Sequence, residues 1–273
     1  MDLTKTIFLD GATGSYFQTQ GVNYPPVEAN IKNPEVVINT HIQYIQAGAN
    51  IITANTFGAY SHKYPNFKEL IAQAIAHAKA AVAQTQPTHI ALDIGPTGLM
   101  LEPYGDTPQR EVAKIYAQTI AEGVAQGVDL ILVETMMDLT EMEIAVKEAK
   151  KTGLPVFATM SMEPNGRTMY GASIADMVKT LENLKVDALG LNCGEGLEPY
   201  QSLIDELTSK TTLPTIFQPN AGLPQFSNGV TSYTITPTEY ATFMANQQSV
   251  TILGGCCGTT PAHIQAMVQT IGC

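Results

Sequence analysis

The chain has 273 residues, a formal net charge of −11, 44% hydrophobic residues and 14% charged ones. That length suits one α/β barrel. The acidic balance argues against nucleic acid or an anionic membrane surface as partner. With Arg110 and Arg167 as the only arginines, a dedicated phosphate clamp is not expected either.

In chain order, short apolar runs alternate with longer helical stretches. Strands are expected over 6–10, 50–54, 89–94, 129–134, 155–160, 188–192, 215–218 and 250–253. Helices are expected over 34–47, 67–84, 108–126, 138–151, 174–184, 198–209, 237–246 and 261–270. The strand runs are uniformly apolar, as in strands buried on both faces. Asn33-Pro34, Thr107-Pro108, Thr236-Pro237 and Thr260-Pro261 each set a capping residue before a proline at the first helical position. Gly48, Gly127 and Gly153 stand where helices should stop. Eight such units predict a single TIM (β/α)8 barrel over residues 1–273; a doubly wound open sheet is the runner-up. Met1-Asp2-Leu3-Thr4-Lys5 carries no signal-peptide pattern, and no apolar run approaches the roughly 20 residues that span a bilayer. A cytoplasmic location, with the cysteines kept as thiols, is the expectation.

In a barrel, chemistry gathers at the C-terminal ends of the strands. There the chain places Asp10, Asn55 and Thr56, Asp93, Glu134, Asn192-Cys193-Gly194, Gln218-Pro219-Asn220 and Gly254-Gly255-Cys256-Cys257-Gly258. Adjacent cysteines rarely bond to each other. Cys193, Cys256 and Cys257 brought to one rim instead make a soft-metal site, zinc first, with one coordination position left open. Each cysteine alone would read as a small buried hydrophobe, and Cys273 reads as an idle terminal thiol. Asp93 reads equally well as a structural acceptor. His41, His77 and His263 fall in helices and His89 begins a strand, while His62 reads as a solvated loop residue. A Cys–His nucleophilic pair is therefore unsupported. The absence of a strand-end lysine disfavours Schiff-base chemistry.

Leu9-Asp10-Gly11-Ala12-Thr13-Gly14, Leu191-Asn192-Cys193-Gly194 and Gly254-Gly255-Cys256-Cys257-Gly258-Thr259 resemble the opening motif and the two zinc motifs of the homocysteine S-methyltransferases. Asp93-Ile94-Gly95-Pro96-Thr97-Gly98 and Pro219-Asn220-Ala221-Gly222-Leu223-Pro224 are similar to the homocysteine domain of cobalamin-dependent methionine synthase in particular. The resemblance implies zinc on Cys193, Cys256 and Cys257, with Asn220 as a fourth ligand when substrate is absent. It also implies Asp10 and Glu134 as holders of the amino-acid part of homocysteine. Thr56 and Asn192, at the ends of the second and sixth strands, are further candidate substrate contacts. A zinc bound by three thiolates is a weak Lewis acid that leaves a fourth sulfur electron-rich, which favours thiolate alkylation over hydrolysis. Methionine synthases of that type also carry folate, cobalamin and reactivation modules, so the expected methyl donor is a methyl-corrinoid (methylcobalamin) on a separate protein. S-methylmethionine or betaine as direct donor, and a non-catalytic zinc-binding subunit docking on a corrinoid protein, are the alternatives.

Overall fold

The computed structural model describes residues 1–227 and 230–272; Cys273 lies outside them. Eight parallel strands form one sheet: β1 (Ile7–Phe8), β2 (Ile51–Thr53), β3 (His89–Ile94), β4 (Leu130–Met136), β5 (Val156–Met160), β6 (Ala188–Cys193), β7 (Thr215–Pro219) and β10 (Ile252–Leu253). Pairing runs in sequence order from β2 to β7, then through β10 to β1. The ring closes between β1 and β2. The Asn50 N–H donates to Phe8 O at 2.7 Å, the Asp10 N–H donates to Ile51 O at 3.1 Å, and Leu9 bridges Ile51. The fold is the expected TIM barrel, not an open sheet.

Strand register divides the buried apolar residues into two cores. Ile7, Leu9, Ile51, Ala91, Leu130, Leu132, Phe157, Ala188, Ile216 and Ile252 fill the barrel interior. Their alternate neighbours, such as Ile52, Leu92, Ile131 and Val133, pack against the helices. Both faces are covered, which is why the strand sequences show no alternation. Extending the inward set by one pleat toward the C-terminal end brings Thr53, Asp93, Glu134 and Gln218 to the top of the barrel, and a second pleat past Gly190 brings Asn192, because side chains repeat every second residue.

The outer helices are α3 (Pro34–Gln46), α4 (Phe67–Ala83), α5 (Gln109–Ala125), α6 (Leu139–Lys150), α7 (Ile174–Asn183), α8 (Gln201–Lys210), α9 (Pro237–Ala245) and α10 (Pro261–Ile271). Proline opens α3, α9 and α10 as expected, and Thr236 with Glu239 forms a reciprocal cap on α9. Helix α5 starts one residue late, since Pro108 has an extended ψ of 141° and serves as its cap. Gly127 and Gly153 sit at φ of 78° and 77°, the left-handed conformation that ends α5 and α6. Sequence reading missed three pieces, all at the mouth: α1 (Gly14–Thr19), a 3₁₀ turn (Pro26–Glu28) leading into α2 (Ala29–Lys32), and an antiparallel hairpin of β8 (Gln225–Ser227) and β9 (Val230–Ser232).

Gly190 in β6 is the tightest point of the wall. A Cβ there would fall 1.9 Å from the Ile216 carbonyl oxygen on β7. Backbone cannot yield as a flexible side chain does, so Gly190→Ala is expected to cost about 3 kcal/mol or more. Denaturant unfolding of the purified variant checks this; a change within experimental error would contradict the packing described.

Candidate metal and substrate site

Cys193 ends β6, while Cys256 and Cys257 occupy the turn between β10 and α10. Their Sγ atoms all lie within 4.8 Å of one another. The turn is fixed from three sides. The Cys256 N–H donates to Pro219 O, the Gly255 N–H donates to Asp10 O, and the Thr259 hydroxyl donates to Cys256 O at 2.7 Å. Tyr233, just after the hairpin, packs over the turn, where a Cβ on Gly258 would fall 2.2 Å from its ring; it also shares a hydrogen bond with Cys257.

Two strand ends carry left-handed backbone at non-glycine residues: Thr135 at φ 60° and Cys193 at φ 65°. Such residues persist only where their surroundings hold them. The holder is Asn192. Its Oδ1 accepts the Thr135 N–H and the Thr159 hydroxyl, both at 2.8 Å. Its Nδ2 donates to Thr135 Oγ1 at 2.7 Å and lies 3.9 Å from Cys256 Sγ. The β4–β5 register also shifts between Val133 and Met136, so the irregularity spans Glu134.

Three thiols alone are an unsettled group. Hydrogen bonds from Cys256 and Cys257 pull the Cys193 thiol far down, to about 2, and sharing with that thiolate pushes the other two up. Only a cation would let all three ionise. The Asn220 Nδ2 lies 3.6 Å from Cys193 Sγ, and its Oδ1 is buried with no partner. Three sulfur donors, with the Asn220 amide next to one of them, fit a zinc ion.

A cavity of about 380 Å³ opens beside the sulfurs and is lined by Asp10, Asp93, Glu134, Gln218 and all three cysteines, among others. Lys63 is the one cation in its lining. Burial pushes Asp10 up to about 8, against hydrogen bonds from Thr53 that lower it. Burial, then the Cys193 thiolate, raises Glu134 to about 7. Asp93 is raised well above the usual carboxylate range, by burial and then by the charges of Glu134 and Asp10. Asp10 is well held: the Thr53 N–H donates to its Oδ2 at 2.8 Å, and the Thr53 hydroxyl lies 3.1 and 3.2 Å from its two oxygens. Glu134 Oε2 accepts from Gln218 Nε2 at 3.4 Å.

The expected residues therefore separate. Cys193, Cys256, Cys257, Asp10 and Glu134 meet at one cavity, with Asn220 beside the sulfurs. Asn192 and Thr56 are fully buried and do not line it. The Asn192 amide is committed to the strained strand ends. The Thr56 hydroxyl donates to Asp93 O at 2.8 Å and accepts the Asp93 N–H at 3.1 Å, tying β3 to the β2 loop. Both stand at strand ends, as the sequence indicates, but their polar atoms are taken by the protein. His62 is exposed and outside the lining, with Nε2 3.1 Å from Thr97 O.

The Asp10 shift has a consequence for stability. An acid whose value rises from 3.8 unfolded to about 8 folded keeps its proton longer in the folded state. Its contribution therefore makes the protein less stable as pH climbs through that window. Asp10→Asn removes this dependence. In melts from about pH 5 to about pH 8, the variant's melting temperature should gain on that of the wild type as pH rises. A constant difference would remove the buried, reluctant carboxyl from the description.

A profile of the homocysteine S-methyltransferase family matches residues 7–271. Methionine synthase of Mycobacterium leprae (strain TN) is 29% identical over 261 residues, which cover 89% of this chain and 22% of that protein. Methionine synthase of Mycobacterium tuberculosis is 27% identical over 289 residues, 96% of this chain and 24% of that protein. The chain thus spans about a quarter of the length of these relatives. Among solved structures, the metallated form of homocysteine methyltransferase MmuM from Escherichia coli superposes with a TM-score of 0.80 at 22% identity, over 96% of this chain and 95% of that one; this likeness concerns the fold. On the profile match over nearly its whole length, the chain belongs to the homocysteine S-methyltransferase family.

Proposed function

We propose that the chain transfers a methyl group to the thiol of homocysteine, giving methionine, with zinc held by Cys193, Cys256 and Cys257. The observation that carries this reading is the convergence on one cavity of three thiols and three carboxyl groups, Asp10 and Asp93 buried and Glu134 half-buried. Zinc, when bound, would lower the pKa of the substrate thiol and keep its sulfur in place as a nucleophile. The Asn220 side chain, with its unpartnered Oδ1, stands beside the sulfurs as a fourth ligand that a substrate thiol would replace. Glu134 and Asp10 face the amino-acid end and hold its ammonium. Backbone N–H groups at the strand ends would donate to the carboxylate. Fixing both ends orients the sulfur. Asn192 acts indirectly, by holding the backbone at Thr135 and Cys193.

The rim of the mouth favours a donor carried on a protein. Nine large apolar side chains are exposed among the described residues, and seven of them lie on the loops around this mouth. They are Phe57 after β2, Met100 and Tyr104 after β3, Met169 and Tyr170 after β5, and Leu223 and Phe226 after β7. The Tyr104 and Tyr170 rings stand 6.5 Å apart and join two of these loops. A broad apolar collar suits a docking macromolecule more than a free small molecule. A methyl-corrinoid module, as the similarity to methionine synthases suggests, is the occupant we assign.

Two measurements test the reading. Cys257→Ala should lose its zinc, by metal analysis, and its methyl transfer, while the circular dichroism of the barrel is unchanged. Retention of one bound zinc with full activity would refute the assignment. Glu134→Gln should raise the homocysteine KM by about tenfold or more, the worth of one charged hydrogen bond. Assays in parallel with methylcobalamin, a methyl-corrinoid protein, S-methylmethionine and betaine identify the donor; turnover with either small sulfonium or ammonium donor alone would overturn the corrinoid assignment.

A further inference from the structure

Asp93 lies at the end of β3, 7% exposed, and lines the cavity. Its Oδ1 is buried with no hydrogen-bond partner. The other two carboxyl groups of the cavity are partly satisfied, Asp10 by Thr53 and Glu134 by Gln218. A buried polar atom without a partner costs about 1–3 kcal/mol, and a protein keeps such an atom where a ligand supplies the missing bond. Two more unpartnered buried oxygens lie at the same end of the barrel: Gln218 Oε1, in the cavity lining, and Asn220 Oδ1, beside the sulfurs. Asn220 Oδ1 is left to the metal. Gln218 Oε1 and an ionised Asp93 carboxylate can only accept, so the partner the cavity lacks is a donor, and beside three carboxyl groups it is a cationic one.

We infer that Asp93 is the specificity-determining residue for the acceptor's α-ammonium, its Oδ1 taking one ammonium N–H, so that the site selects amino-acid thiols over plain alkyl thiols. This rests on the homocysteine reading above. Asp93 stands on the rigid barrel wall, with its own backbone N–H and carbonyl bound to the Thr56 hydroxyl at 3.1 and 2.8 Å. The carboxyl is thereby fixed in the inward register, next to Thr53 and Glu134 in the ring of strand ends. Burial and the charges of Glu134 and Asp10 keep a proton on it when no ligand is present. An incoming ammonium does the work of that proton and adds directed hydrogen bonds.

The test is calorimetry on the zinc-loaded protein with three thiols: L-homocysteine, 4-mercaptobutanoate, which lacks the amino group, and 3-aminopropanethiol, which lacks the carboxylate. Wild type should bind the two amines more tightly than 4-mercaptobutanoate. Asp93→Asn should weaken both amines by about tenfold or more and leave 4-mercaptobutanoate within about twofold. Equal weakening of all three thiols, or no change in any, overturns the assignment. Melting of the ligand-free variant gives a second reading. The substitution removes a carboxyl that is unsatisfied in the empty site, so the variant should melt at or above the wild-type temperature. A variant that melts far below it, or does not fold, marks Asp93 as a structural acceptor and overturns the inference. If wild type binds 4-mercaptobutanoate alone, the Asp93 assignment falls while the thiol site stands; if it binds none of the three, the homocysteine reading falls and takes the assignment with it.

Discussion

The controlling constraint in this molecule is electrostatic. Three carboxyl groups and three thiols share one partly dry cavity in which Lys63 is the one cation of the lining. Burying charge without a partner is costly, so the protein alone cannot let these groups ionise together. They respond as such groups must: the carboxyls hold their protons to unusually high pH, and the thiols share theirs. On the proposed reading, each negative charge the site can develop is matched from outside, by zinc on the sulfur side and an ammonium on the carboxyl side.

Such an arrangement has to be held open against its own repulsion, and the barrel supplies the rigidity. Sulfurs more than sixty positions apart in sequence meet because β6, β7 and β10 are neighbours in one closed sheet. Strand ends are then bent locally to aim the ligands. Thr135 and Cys193 adopt left-handed backbone, and Asn192 bridges both ends with three close hydrogen bonds. Its full burial is the expected state of a residue that stores strain for its neighbours. Asn192 and Thr56 share this character. Each is a polar residue one step behind the chemistry, spending its hydrogen bonds on the backbone that presents Cys193, Glu134 or Asp93.

What was legible in the sequence follows from the same physics. Apolar runs bounded by glycine and proline mark the eight strands and eight outer helices to within a few residues, since those signals act locally. Cysteine is distinctive enough in its chemistry that Cys193, Cys256 and Cys257 stood out once the barrel order was assumed. The side-chain register did not stand out. Strands buried on both faces show no alternation, so nothing in Ala91-Leu92-Asp93-Ile94 or Ala54-Asn55-Thr56 says which residue faces inward. The structure ties the Thr56 hydroxyl to the Asp93 backbone and sets the Asp93 side chain in the cavity lining. The missed elements have local causes too. Helix α1 begins on a glycine and has six residues, and α2 has only four behind Pro25-Pro26; none of these gives a periodic pattern long enough to read.

The protonated carboxyls also account for how an empty site of this kind survives. If Asp10, Asp93 and Glu134 were ionised in the absence of ligand, their mutual repulsion and burial would act directly against folding. With Asp10 raised to about 8, Glu134 to about 7 and Asp93 well above the usual carboxylate range, much of that charge is withheld near neutral pH. Under the proposed function, an arriving ammonium changes the balance, because a fixed positive charge at short range favours the ionised acid. Negative charge then develops only where it is matched, and the proton displaced leaves to solvent. The sulfur side follows the same logic with a metal in place of the ammonium. On the proposed reading, Asp10 and Asp93 hold their protons until the ammonium arrives and Cys256 and Cys257 hold theirs until the ion does, which reconciles a stable closed barrel with three carboxyl groups and three thiols around one cavity.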